Sequence, residues 1–121
     1  MKYILTGKQM KTVDGYTIDN IGIPGIVLME RAALSMASLI MENETKNKSV
    51  LVICGVGNNG ADGLAVCRML HLKGYSTCIC VLGDIQKATE DFKTQLNIVK
   101  NLGIEIVDEI MPKDIIVDAI F

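Results

Sequence analysis

The run Ser49-Val50-Leu51-Val52-Ile53-Cys54, followed at once by Gly55-Val56-Gly57-Asn58-Asn59-Gly60, constrains the fold more than any other feature of the chain. A short apolar run that ends in glycines reads as a strand buried on both faces leading into a tight turn. From Ala61 to Lys73 the residues Leu64, Ala65, Leu70 and Leu72 follow a helical period, and Gly74 suits the position just past a helix end. The pattern then repeats. Tyr75 to Leu82 reads as a second strand. Ile85 to Leu102 reads as a helix with Phe92, Leu96, Ile98 and Val99 as its apolar stripe, and Ile104 to Val107 as a third strand. Pro112-Lys113-Asp114 is a turn, and Ile115 to Phe121 a fourth strand. Strands alternating with helices predict an α/β domain, a Rossmann-like three-layer αβα sandwich around a mainly parallel sheet. Right-handed crossovers then fix most of its topology.

Two helices are expected before the first strand, as an addition to this core. Thr6 to Asn20 has a capping threonine, with Met10, Val13 and Tyr16 or Thr17 at helical spacing. Pro24 to about Glu44 opens on a helix-start proline and is apolar nearly all round, so it is expected to be largely buried or to supply a partner interface, as in a homodimer. Asn43 to Lys48 is a polar linker.

Composition narrows the function classes. The 121 residues suit one compact domain or part of a larger one, and with 50% hydrophobic and 21% charged residues the chain is not disordered. Twelve basic and fourteen acidic residues give a net charge of -2, which offers no electrostatic reason to expect nucleic-acid or anionic-membrane binding. Glu30 and Arg31 interrupt the longest apolar helix, so no membrane span is expected, and the N-terminus lacks a secretory pattern. The four cysteines, Cys54, Cys67, Cys78 and Cys80, sit in apolar stretches without a C-x-x-C pair and read as reduced core residues of a cytoplasmic protein.

Gly55, Gly57 and Gly60 match G-x-G-x-x-G between a strand and a helix, a context that favours an anionic ligand at the helix N-terminus. Asn58, Asn59 and Asp62 depart from an ordinary dinucleotide loop. They read either as ligand groups or as a capped turn. Asp118 interrupts the apolar strand Ile115 to Phe121; it reads either as a buried carboxylate, which needs a partner or a cation, or as an aspartate already emerging at the strand's end. Asp84 stands near where a ribose-binding acid would sit, although Gly83-Asp84 also reads as a solvated turn. His71 reads as a helix-surface residue, and the methionines as core. The sequence stops at the carboxyl end of a strand, where α/β sheets place their ligands, so the 1–121 domain is expected to be incomplete at its C-terminus.

Three segments resemble the YjeF N-terminal domain family, the NAD(P)H-hydrate epimerases. Gly22-Ile23-Pro24-Gly25-Ile26-Val27-Leu28-Met29-Glu30-Arg31-Ala32-Ala33 is similar to the family's GIPS-x-x-LME-x-A-G helix, with Gly25 where a serine is usual. Cys54 to Gly63 is similar to its C-G-x-G-N-N-G-G-D-G loop, with Ala61 replacing a glycine. Val117 to Phe121 is similar to the start of its D-A-I-F-G-T-G loop. The resemblance implies epimerisation of the R and S forms of hydrated NADH or NADPH, with Asn58, Asn59, Gly60, Ala61 and Asp62 against the substrate. It also implies a potassium ion on Asn59 and Asp118. Loss and return of water at C6 would need one carboxyl alternating as acid and base, for which Asp118 is the expected group and Asp62 its competitor. The family domain runs past Phe121, and many bacterial members continue into an ADP- or ATP-dependent dehydratase domain, so residues 1–121 alone are expected to be inactive. An NAD-dependent oxidoreductase using Asp84 and a non-catalytic scaffold of the same fold are the alternatives.

Overall fold

The computed structural model describes residues 1–5 and 22–120. The helix expected over Thr6 to Asn20 lies outside the described residues, as does Phe121. In chain order the elements are strand β1 (Lys2–Ile4), helix α1 (Gly25–Asn43), β2 (Ser49–Cys54), α2 (Asn58–Leu72), β3 (Ser76–Val81), a single 3-10 turn (Ile85–Lys87), α3 (Glu90–Asn101), β4 (Glu105–Val107) and β5 (Ile115–Ala119). The five strands form one sheet in the order β1-β5-β2-β3-β4, every pair parallel. This is the expected α/β class.

Three local readings need correction. The first strand is β1, not Ser49 to Cys54. It pairs with β5 through Lys2 opposite Ile116, Tyr3 opposite Val117 and Ile4 opposite Asp118. The helix expected from Ile85 breaks at Thr89, whose hydroxyl accepts the Phe92 N–H at 3.2 Å, and Glu90 and Asp91 in the first turn of α3 suit the positive end of its dipole. The helix expected from Ala61 starts three residues earlier, at Asn58, so Asn58, Asn59 and Gly60 belong to its first turn rather than to the loop. Its far end behaves as the sequence implies. Gly74 has φ +97°, its N–H donates to the His71 carbonyl and that of Tyr75 to the Leu70 carbonyl, closing a Schellman motif.

The main core lies between the sheet and the helices. Val50, Val52, Cys54, Ile79, Ile115, Val117 and Ala119 present one sheet face to Leu64, Val66, Cys67 and Leu70 of α2 and Phe92, Leu96 and Val99 of α3. Leu51, Ile53, Cys78 and Cys80 form a separate cluster on the opposite face, to which none of the described helices contributes a residue. The most enclosed helix is α2, with nine buried residues, rather than the more apolar α1. Only Met29, Ala33, Ala37 and Ile40 of α1 are buried, one stripe at helical spacing, while Val27 and Leu34 are each 54% exposed. Small residues explain the difference: Gly60, Ala61, Gly63 and Ala65 let α2 lie close on the sheet with α1 and α3 over it.

The strand order reverses direction at β2. The chain runs outward through β3 and β4, then returns to place β5 on the other side of β2. The carboxyl ends of β2 and β5 therefore flank the switch point, where open α/β sheets hold their ligands.

Candidate functional site

The G-x-G-x-x-G glycines are not equivalent. A Cβ on Gly60 would overlap the Gly55 carbonyl, and one on Gly55 would overlap the Ile120 carbonyl. These two glycines let the loop, the start of α2 and the end of β5 pack backbone on backbone, a link reinforced by the Gly55 N–H donating to the Ala119 carbonyl at 2.9 Å. A Cβ on Gly57 would meet nothing within 4 Å. Gly57 is the N-cap of α2, with extended backbone (φ −93°, ψ −166°) and no side-chain capping bond. The first intrahelical bond runs from the Ala61 N–H to the Gly57 carbonyl at 3.0 Å. Helix geometry leaves the N–H groups of the first turn without intrahelical acceptors, and the positive end of the dipole faces the same open space.

Asn59 is 4% exposed on this first turn. Its Nδ2 donates to the Leu5 carbonyl at 3.2 Å, while its buried Oδ1 has no hydrogen-bond partner among the described residues. The Leu5 N–H in turn donates to the Asp118 carbonyl at 3.1 Å. Asn59 and Asp118 are thus tied to one another through the backbone that continues β1, the strand that sequence reasoning missed. Lys2-Tyr3-Ile4 is too short for a periodicity to show.

Asp118 is 9% exposed, flanked by Ile53 on β2 and Ile4 on β1. Its Oδ1 accepts the Ile120 N–H at 3.3 Å, and its Oδ2 stands 3.4 Å from the Lys2 ammonium. A carboxylate in an apolar strand does need such partners.

The capped-turn alternative is not what is observed, since neither asparagine caps α2 and Asp62 lies beyond its first turn. Asp62 instead lines, with Asn59, Leu5 and Ala32, Ala33, Ser35, Met36 and Leu39 of α1, an apolar pocket of about 230 Å³. Ala61 is fully buried in the main core, so the methyl replacing a family glycine is accommodated by α2 packing. Asp84 accepts the Gln86 N–H at 3.0 Å and caps the 3-10 turn, the structural role its turn context suggested. His71 closes the far end of α2, its Nδ1 3.3 Å from Thr77 Oγ1. All four cysteines are buried. Burial pushes the Cys67 thiol up to about 12 and the Cys54 thiol well above its ordinary value, so neither is a nucleophile at neutral pH. Among the described residues no three His, Cys, Asp or Glu side chains cluster as a metal site would require.

Residues 25–121 match the family described as YjeF-related protein N-terminus. The NAD(P)H-hydrate epimerase of Oenococcus oeni is 46% identical over 121 residues, covering 97% of this chain and 58% of that protein. The NAD(P)H-hydrate epimerase of Leuconostoc kimchii is 36% identical over 120 residues, covering 98% of this chain and 53% of that one. The crystal structure of yeast ynu0 superposes with a TM-score of 0.77 at 29% identity, covering 98% of this chain and 56% of the yeast chain. The chain thus spans a little over half the length of the relatives it matches.

Proposed function

The chain belongs to the YjeF-related protein N-terminus family, and from that premise we propose that it works as an NAD(P)H-hydrate epimerase, an isomerase of nicotinamide-nucleotide repair. The observation that carries the reading is that Asn59, on the first turn of α2, and Asp118, at the end of β5, both meet the Leu5 backbone at the switch point, with a buried amide oxygen that has no partner among the described residues. An NAD-dependent oxidoreductase would want a free ribose-binding acid, and Asp84 is committed to its turn.

In this reading the first turn of α2, with the open space at Gly57, receives the anionic part of the substrate, and residues 58–62 line it. At C6 of the hydrated ring the hydroxyl-bearing carbon is bonded to the ring nitrogen. Asp118 in its acid form donates a proton to that hydroxyl. The C–O bond breaks, water leaves, and the nitrogen lone pair forms an iminium ion. Water adds to the opposite face and returns its proton to Asp118, so one carboxyl alternates between acid and base. Asp62, beside Asn59, is the competing group.

The residues present fit a potassium ion. Asn59 Oδ1 is an oxygen donor without a partner, and Asp118 supplies a carboxylate at the same end of the sheet. Asn59 and Asp118 would hold such an ion, which would supply positive charge against phosphate and link the start of α2 to the end of β5. We propose also a homodimer, supported by the exposed Val27 and Leu34 of α1, and a cytoplasmic location. Among the described residues no helix is long and apolar enough to cross a membrane. The mass of the full gene product tests whether a dehydratase domain is fused to it.

The function is tested on the full-length protein with the R-hydrate, using an S-specific dehydratase to report product. Asp118→Asn is expected to lose at least about a hundredfold in rate, the low end for acid–base catalysis, and Asp62→Asn less. Residues 1–121 alone are expected to be inactive. An Asp118→Asn enzyme as fast as the parent sinks the reading.

A further inference from the structure

Asp118 already has a cation of its own. Lys2 stands opposite Ile116, two pairs along from the Ile4–Asp118 pair and so on the same face of the β1–β5 ladder, and its Nζ reaches Asp118 Oδ2 at 3.4 Å. The two partners are differently placed. The Lys2 side chain is 60% exposed, the Asp118 side chain only 13%. The ammonium can swing into water at little cost, whereas the carboxylate is held in place by the Ile120 N–H on its other oxygen. Asn59 Oδ1, by contrast, has no partner among the described residues.

Two monovalent cations cannot both take the same carboxylate oxygen at contact distance without repelling one another. We propose that Lys2 is a tethered counter-ion of Asp118, which competes with the potassium ion and so sets the concentration at which the cation site fills. The inference rests on the cation reading given above and adds Lys2, a positioning residue, to it. In potassium's absence Lys2 keeps the carboxylate neutralised and oriented. When the ion enters, Lys2 turns to solvent.

The test is the melting temperature of the full-length protein as potassium chloride replaces choline chloride at constant ionic strength, since an ion that binds only the folded state raises stability with its concentration. For Lys2→Met the midpoint of the potassium effect is expected to fall about three- to fivefold, the range that losing an exposed ion pair allows. Lys2→Arg, which keeps the charge, is expected to restore the parent midpoint. Lys100→Met removes an equal charge from the exposed last turn of α3 and should leave the midpoint unmoved. Equal midpoints in Lys2→Met and the parent overturn the role of Lys2 while leaving the cation reading intact. A shift in Lys100→Met as large as that in Lys2→Met also overturns it, because net charge alone would then explain the effect. The absence of any potassium-specific stabilisation in parent and variants overturns both readings together.

Discussion

At the amino ends of the strands, Glu44 accepts the Lys48 ammonium at 2.7 Å and the Tyr3 hydroxyl at 3.3 Å, while the Tyr75 hydroxyl donates to the Glu44 carbonyl. Close by, Asp114 accepts both the backbone N–H and the hydroxyl of Ser49. At the carboxyl ends, Asn59 Oδ1 is buried without a partner, Asp118 leans on a mostly exposed lysine, and the N-cap of α2 is a bare glycine. Both ends bury polar groups. One end satisfies them internally and gains stability from it. The other leaves them under-satisfied, which is tolerable only where a ligand completes the set.

The comparison breaks hardest at the glycines. Gly60→Ala drives a methyl into the Gly55 carbonyl, a backbone atom that cannot move aside, and is expected to lose about 3 kcal/mol or more, enough to unfold a marginal domain. Gly57→Ala, in the same motif, meets open space at a φ any residue adopts, and its stability should stay within about 0.5 kcal/mol of the parent while substrate binding weakens. Urea unfolding of the two variants decides. If Gly57→Ala is as damaging as Gly60→Ala, the open space at the helix start is illusory.

Asn59→Ala sharpens the contrast between stability and function. Losing the bond to the Leu5 carbonyl costs about 1 kcal/mol, but removing a buried unpartnered oxygen offsets part of it. Stability should therefore change by less than about 1 kcal/mol while epimerase activity falls. A variant that unfolds readily would mean that Asn59 serves the fold first.

What the sequence shows and hides follows the same division. The apolar runs over 50–54, 78–81 and 115–117 are visible because strands largely buried on both faces carry few polar residues. The start of α2 is disguised, because the glycine that ends a turn in most contexts is here a helical residue pressed on Gly55. The break before α3 was legible in Thr89-Glu90-Asp91, a cap followed by two acids, and was masked by the apolar Ile85. Asn59, Asp62 and Asp118 stand out by residue type, yet nothing local shows that β1 threads between them. That link is a tertiary contact 113 residues apart along the chain, from Leu5 to Asp118.

The amino end also has a pH signature of its own. The Lys48 hydrogen bond holds Glu44 below its ordinary carboxylate range, and the Ser49 backbone N–H does the same for Asp114. Both lowered groups contribute stability above their unfolded values near about 4, and that contribution is lost as pH falls through the lower folded values. Lys48 is raised by the same pair, so its share is present below about 10.4 and lost as pH rises through its higher folded value. The melting temperature should be flat between about pH 5 and 8 and fall on either side, the alkaline fall starting as the thiols of the buried cysteines, raised in the folded chain, ionise in the unfolded one near about 8.5. Glu44→Gln should make both limbs shallower, the acid one retaining the Asp114 share. An unchanged acid limb would remove Glu44 from the account.

The smallest expected effect tests whether the amino end is saturated. The Tyr3 phenol is raised first by burial and then by the Glu44 charge, so it stays neutral and donates to Glu44 throughout the neutral range. Tyr3→Phe keeps the ring in the core and removes only the hydroxyl. Glu44 still has the Lys48 ammonium, so its carboxylate is not left unpaired. The loss should therefore be that of one long hydrogen bond, about 0.5–1 kcal/mol, or roughly 2–6 °C in melting temperature. A drop several times larger would mean that Tyr3 itself holds Glu44 in place and that the amino end is a cooperative network. No drop at all would mean that Lys48 alone satisfies Glu44, leaving the Tyr3 hydroxyl a bystander on β1.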